Sequence, residues 1–133
     1  MNQAGSMNQA GREKSPVKAA RPRHRLDAAG QSVGRLATEI AVLLRGKDRA
    51  DFSPHLDKGG VVEVVNCDQL KFTGKKLEQK EYFHFSGYIG GLKRKKMAEV
   101  YAQNPAAVLC RAVKQMLPPT KWRPAQLKRL IIK

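Results

Sequence analysis

Acidic residues are scarce in this chain. Eleven Asp and Glu face 26 Lys and Arg over 133 residues, which leaves a formal charge of +15. The carboxylates do not gather either: Asp27, Glu39, Asp48, Asp51, Asp57, Glu63 and Asp68 each fit a cap, a turn or a solvated face. Paired-acid catalysis therefore has little to build on. Cysteine is also rare. Cys67 and Cys110 form no CxxC pair, and no ligand spacing joins them to His24, His55 or His84, so both read as small buried thiols and no metal site is expected. No apolar run approaches the roughly 20 residues that cross a bilayer, so no membrane partner is expected. HExxH and the phosphate-loop GK[ST] are both missing. Ser53, His55 and Asp57 lie close in SPHLD, but a triad is assembled in space and sequence proximity carries no weight. No enzymatic activity, cofactor or small-molecule substrate is expected.

What the chain has is positive charge, which points to a polyanion, in the first place a nucleic acid. Its length fits one domain. Residues 1–23 read as a separate basic extension. MNQAG occurs twice, at 1–5 and 7–11, and REKSPVKAARPR follows with little to bury, which predicts disorder in the free chain. There is no apolar segment of signal-peptide type, Pro16 and Pro22 spoil an amphipathic transit helix, and Met7 offers a second start.

Residues 24–74 carry a strand–helix–strand pattern. RLDA, 25–28, is a weak first strand. Ser32 is placed to cap a helix reaching Arg45, with Leu36, Ile40, Leu43 and Leu44 on one stripe and Gly46 as its stop. VVEVV, 61–65, is a near-continuous β-branched run, as in a strand covered on both faces. Asn66 and Asp68 mark a turn, and LKFTG supplies a short third strand. A right-handed crossover would make the first two strands parallel. Residues 75–133 read as helical and basic. Asn104 and Pro105 open a helix whose apolar face is Leu109, Ala112, Val113 and Met116, with Arg111 and Lys114 opposite. Leu36, Ile40, Leu43, Val62, Val64, Val65, Leu109, Val113 and Met116 form the expected core.

HFSGYIGGLKRKK, 84–96, concentrates three kinds of chemistry. Glycines admit close backbone approach. The rings of His84, Phe85 and Tyr88 can stack on sugars or unpaired bases. Lys93, Arg94, Lys95 and Lys96 can neutralise phosphates. A tight structural turn with solvated cations explains the same residues about as well, and the alternating Phe83 and Phe85 are expected to be buried. Gly87–Gly90 also has GxxG form, but the strand-like aromatic residues before it do not suit a KH domain. A DNA-binding protein would share the charge. It would need a recognition helix, and the helix from Pro105 offers only Arg111, Lys114 and Gln115 to a groove.

Four segments, in order, resemble the bacterial type of the large-subunit ribosomal protein L-thirteen (L13) family. DAAGQSVGRLATEIAVLLRGKDRADFSPHLDKGG is similar to its opening, with Gly-Arg-Leu-Ala, Leu-Arg-Gly-Lys and Pro-His-x-Asp-x-Gly. VVNCDQLKFTGKK is similar to its Asn-Ala-x5-Thr-Gly-x-Lys segment, with Cys67 in place of Ala. YFHFSGYIGGLK resembles Tyr-x-His-x-Gly-x-x-Gly-Gly-x-Lys, with an added residue before Gly87. NPAAVLCRAVKQMLP resembles the helix that leaves through Met-Leu-Pro. The resemblance spans roughly residues 26–130. Departures are the polar first strand, Gly59-Gly60 where the family has Gly-Asp, and Trp122-Arg123-Pro124-Ala125 in place of Leu-Gly-Arg-Ala.

The resemblance implies a three-layer α/β/α domain over 24–133, with a small four-stranded, mostly parallel sheet. It also implies a non-catalytic constituent of the large ribosomal subunit that binds its ribosomal RNA early in assembly, among neighbouring ribosomal proteins, in the cytoplasm rather than an organelle. Carried over, the family's positions are Gly34 and Arg35, then His84, Gly87, Gly90, Gly91 and Lys93, then Met116, Leu117 and Pro118. The expected RNA contacts are Arg35, Lys47, Arg49, Lys75, Lys76, His84, Gly87, Tyr88, Gly90, Gly91, Lys93, Arg94, Lys95, Lys96, Lys114, Lys121, Arg123, Lys128 and Arg129.

Overall fold

The computed structural model describes residues 21–133, so the expectations for residues 1–20 lie outside it. The middle of the fold is a three-stranded parallel sheet. β2 (Val61–Val65) lies between β1 (Arg23–Asp27) and β5 (Leu130–Ile132). Parallel pairing aligns His24 with Val62 and Leu130, and Leu26 with Val64 and Ile132. These rows share one face, and Val62 and Val64 are fully buried on it. The opposite row of Val61, Glu63 and Val65 is only half-buried. The sheet alternates along β2, contrary to the expectation of a strand sealed on both faces.

α1 (Val33–Arg45) makes the crossover from β1 to β2. Leu36, Ile40 and Leu44, at intervals of four, are completely buried with Ala37. Ser32 occupies the cap position without a side-chain cap bond; it bridges to Lys71 instead. Gly46 ends the helix in the left-handed region at φ 77° and donates to Val42 and Leu43 carbonyls.

The mixed α/β character is present, but not as one four-stranded sheet. LKFTG is not a strand: its only pairing is the Ser32–Lys71 bridge. Leu70 turns into the core, Phe72 meets Tyr101 edge-on at 4.9 Å, and the chain enters the short helix α2 (Lys76–Gln79). A second sheet, separate from the first, is the antiparallel hairpin β3 (Glu81–Phe85) and β4 (Leu92–Lys96). With β5 it corrects the helical reading of residues 75–133, because Glu81–Phe85 and Leu92–Lys96 satisfy their backbone groups by pairing with each other. α3 (Met97–Gln103), α4 (Pro105–Met116) and α5 (Arg123–Leu127) complete the chain before β5. Asn104 caps α4 through its side-chain oxygen, which accepts from Ala107 N–H at 3.3 Å. α1 packs on β2, and α4 packs on α1.

The core departs from expectation along α4. Leu109, Val113 and Leu117 form the deepest stripe, joined by Val108. Met116 is 50% exposed because it belongs to the neighbouring stripe with Val108 and Ala112, which lines a cavity. Leu43 is partly buried and Val65 half-buried. Phe83 and Phe85 do alternate, but each is 61% exposed, because no second layer covers their side of the hairpin.

One buried ion pair joins the loop before β2 to the segment just before β5. Arg129 donates to both oxygens of Asp57 at 2.7 Å, to Leu44 carbonyl at 3.0 Å and to Gly60 carbonyl at 3.1 Å. Its side chain is 13% exposed, that of Asp57 8%. Arg129 is therefore a fold residue, and its expected RNA contact gives way: its donors already have internal acceptors. Arg21 adds a bond to Gly59 carbonyl at 2.7 Å, and Val61 N–H donates to Pro22 carbonyl at 2.9 Å. Residues 21–23, read from the sequence as the end of the extension, thus pack with the domain. Gly59 passes so close to α1 that a Cβ would overlap Leu44 carbonyl. At Gly60 a Cβ would meet Pro22 carbonyl at 2.7 Å, so any larger residue there would require the chain entering β1 to move.

Two substitutions test this core. Leu109→Ala should lose about 2–5 kcal/mol of unfolding free energy. Arg129→Ala strands the Asp57 carboxylate and should cost about 3–5 kcal/mol, whereas exposed Lys128→Ala should stay within about 0.5. Urea denaturation reads all three. An Arg129→Ala protein as stable as Lys128→Ala would remove the pair from its central place.

Candidate nucleic-acid interface

Register divides the hairpin into two chemically distinct faces. Tyr82 opposite Lys95 and His84 opposite Lys93 lie on one side; Glu81 with Lys96, Phe83 with Arg94 and Phe85 with Leu92 lie on the other. The run Lys93–Lys96, a single block in sequence, is thereby split in two.

The first face looks across a cleft of about 860 Å³ at α4. Six cations line it: Lys80, Lys93, Lys95, Arg111, Lys114 and Arg123, against one acid, Glu81. Arg111, Lys114 and Gln115 reach it together because they fall at i, i+3 and i+4 of α4. Tyr82 is their aromatic floor. Arg111 stacks over its ring at 4.4 Å and Lys80 at 5.7 Å. Burial pushes the Tyr82 hydroxyl pKa up, and Arg111 partly offsets this. Arg123 donates to Pro118 carbonyl at 3.0 Å and Leu117 carbonyl at 2.9 Å, so it finishes α4 as well as lining the cleft.

The hairpin tip is exposed. Gly87 and Gly90 take φ of 91° and 75°, a region open to glycine at little cost. A Cβ on Gly91 would run into the Ser86 side chain. These glycines make the turn, and Tyr88 and Ile89 project from it into solvent. On the outer face Arg94 lies 5.6 Å from the Phe83 ring centre.

The other expected contacts are dispersed. Arg35 is exposed in the first turn of α1. Lys76 lines a second cavity beside the cleft and donates to Thr73 Oγ1 at 3.2 Å; Lys75 precedes it at the start of α2. Lys47 and Arg49 follow the opposite end of α1. Arg49 pairs with Asp51 at 3.0 Å, and Lys58 at 3.1 Å holds that carboxyl below its usual pKa, so part of this charge is answered locally. Lys121 stacks over Trp122 at 5.0 Å, and Lys128 is exposed on the surface. The sequence reading missed Lys80, Tyr82, Arg111 and Gln115 as members of one site. The available signals were the alternation of Tyr82 with His84 and the helical spacing of Arg111 with Lys114.

Among the described residues, no group of three or more His, Cys, Asp or Glu could hold a metal ion. Among the same residues, no helix is long and apolar enough to cross a membrane.

Comparison with known proteins agrees with the resemblance seen in the motifs. Residues 21–132 match the family described as Ribosomal protein L13. Relatives named "Large ribosomal subunit protein uL13" are similar over most of the chain. That of Nitratidesulfovibrio vulgaris is 47% identical over 105 residues, covering 79% of this chain and 73% of the relative. That of Agathobacter rectalis is 50% identical over 104 residues, covering 78% and 73%. That of Thermus thermophilus is 54% identical over 93 residues, covering 70% and 66%. With its sequence motifs, its α/β architecture and these matches in agreement, the chain belongs to the ribosomal protein L13 family, a family of structural proteins and not of enzymes.

Proposed function

We propose that the chain is a constituent of the large ribosomal subunit that grips ribosomal RNA through the cleft between the β3–β4 hairpin and α4. The single observation behind this reading is the convergence of six cations on a preformed groove holding one acid. Lys and Arg there meet phosphates and release counterions, which gives affinity without reading sequence. His84 on the cleft wall and Tyr88 at the tip add flat surfaces for sugars or unpaired bases. Lys76, which lines the second cavity, widens the basic footprint, while Arg35, Lys47, Arg49, Lys75, Lys121 and Lys128 act as peripheral phosphate contacts. The domain closes its own hydrophobic core without RNA, which suits a protein that joins naked ribosomal RNA early in assembly. Half-exposed Leu92 on the outer hairpin face and fully exposed Ile89 at the tip suit a neighbouring ribosomal protein better than RNA, because aliphatic groups gain nothing from phosphate. The bacterial relatives favour a cytoplasmic ribosome.

The split of the cation run makes the reading testable. Filter binding to a large-subunit ribosomal RNA fragment at several salt concentrations should show Lys93→Ala/Lys95→Ala flattening log affinity against log salt by about 1.8, at about 0.9 per duplex phosphate contact. Arg94→Ala/Lys96→Ala, on the outer face, should change it less. Equal slopes for the wild type and the Lys93/Lys95 variant would refute the cleft as the RNA surface.

Gly90→Val and Gly91→Val attack shape rather than charge. Gly90→Val is strained at positive φ, and Gly91→Val displaces Ser86. Both should weaken RNA binding at an unchanged salt slope. Thermal melts show whether the loss is confined to the loop: a global melting shift that accounts for all of the lost binding would make the glycines structural only.

A further inference from the structure

The cavity beside the basic cleft has a different character. It holds about 420 Å³, within the range of roughly 300–1,000 Å³ typical of small-ligand sites. Val33, Phe72, Met97, Val108, Ala112 and Met116 give it apolar walls. Lys71, Lys76, Lys80 and Arg111 stand among its lining residues, and no acid does. The amides of Gln79 and Gln115 and the hydroxyls of Ser32 and Thr73 supply polar groups. Phe72 is held in place, since Tyr101 meets it edge-on and Tyr101 in turn donates to Asp68 carbonyl at 2.7 Å.

Lys80, Tyr82, Arg111 and Gln115 line both this cavity and the cleft. The two spaces are therefore compartments of one trough, divided at the Tyr82–Arg111 stack. A phosphate chain in the cleft that reaches Lys80 and Arg111 presents its next nucleotide at the mouth of the apolar compartment. Cations without acids at that mouth favour a phosphate-bearing occupant over a protein side chain. Apolar walls with amides favour a base over a free anion. A base can enter only out of the helical stack.

We propose that this cavity receives one unpaired nucleotide of the bound RNA, with its base against Phe72 and Ala112 and its phosphate between Lys80 and Arg111. The inference rests on the cleft being the RNA surface, and it adds that the recognised element carries a bulged or extruded nucleotide.

The test uses the full chain and two probes: a blunt RNA duplex, and the same duplex with one bulged nucleotide. The wild type should prefer the bulged duplex at least about fivefold, the low end for one stacked base. Ala112→Phe fills the cavity without changing charge. It should abolish the preference while keeping the blunt-duplex affinity and salt slope. Thr73→Trp blocks the cavity from an exposed position and should do the same if Ala112→Phe does not fold. Lys93→Ala/Lys95→Ala should weaken both probes alike and keep the preference. No preference in the wild type, with both probes still bound, overturns the nucleotide cavity and leaves the cleft standing. A preference that survives a folded blocking variant also overturns it. If neither probe binds, the cleft reading fails, and this inference fails with it.

Discussion

The fold depends on one buried charge pair. Arg129, just before β5, reaches Asp57 on the loop before β2, and the same guanidinium holds the last turn of α1 through Leu44 carbonyl. Three segments distant in sequence thus share one side chain. A buried pair is favourable only when its remaining hydrogen-bonding groups are satisfied, and here backbone carbonyls at Leu44 and Gly60 do that. The close passage at Gly59 and Gly60 follows from the same geometry, since a side chain at either position would force the loop away from α1 or β1.

This use of a carboxylate matters in so basic a chain. Five ion pairs occur among the described residues, and only the one between Arg129 and Asp57 is well buried on both sides. Most cations therefore face water, where their mutual repulsion opposes compaction until a polyanion arrives. The cleft concentrates that repulsion between the hairpin and α4. Stacking of Arg111 and Lys80 on Tyr82 holds two of the charges in position before any partner binds.

Local patterns in the sequence were a good guide where one element's own spacing decided the outcome. α1, with its four-residue stripe and Gly46 stop, and α4, with its Asn104-Pro105 start, form as the spacing requires. VVEVV is the central strand. The polar β1 was harder to recognise: Leu26 is its only large apolar residue, and pairing along β2 holds it as an edge strand. LKFTG had strand composition but no partner beyond one bridge. Phe83 and Phe85 had the alternation of buried residues, yet the hairpin stands apart from the main sheet with its outer face uncovered. The glycine-rich turn and its cations could be picked out from the sequence. Their division into an inner and an outer pair could not, because that depends on antiparallel register.

By itself, the sequence determined the charge balance, the limits of α1 and α4, the glycine turn and the family motifs, because each depends on composition or on residues a few positions apart. Tertiary structure decided which cations remain available. Arg129 and Lys128 are neighbours in the chain, yet one is locked inside the fold and the other is exposed. Tertiary structure also brought Tyr82 and Lys80 to Arg111 and turned Met116 from a core position to a cavity wall. The physical reason is the same in each case: periodicity sets the direction of a side chain on its own element, but burial and pairing depend on which distant element covers it.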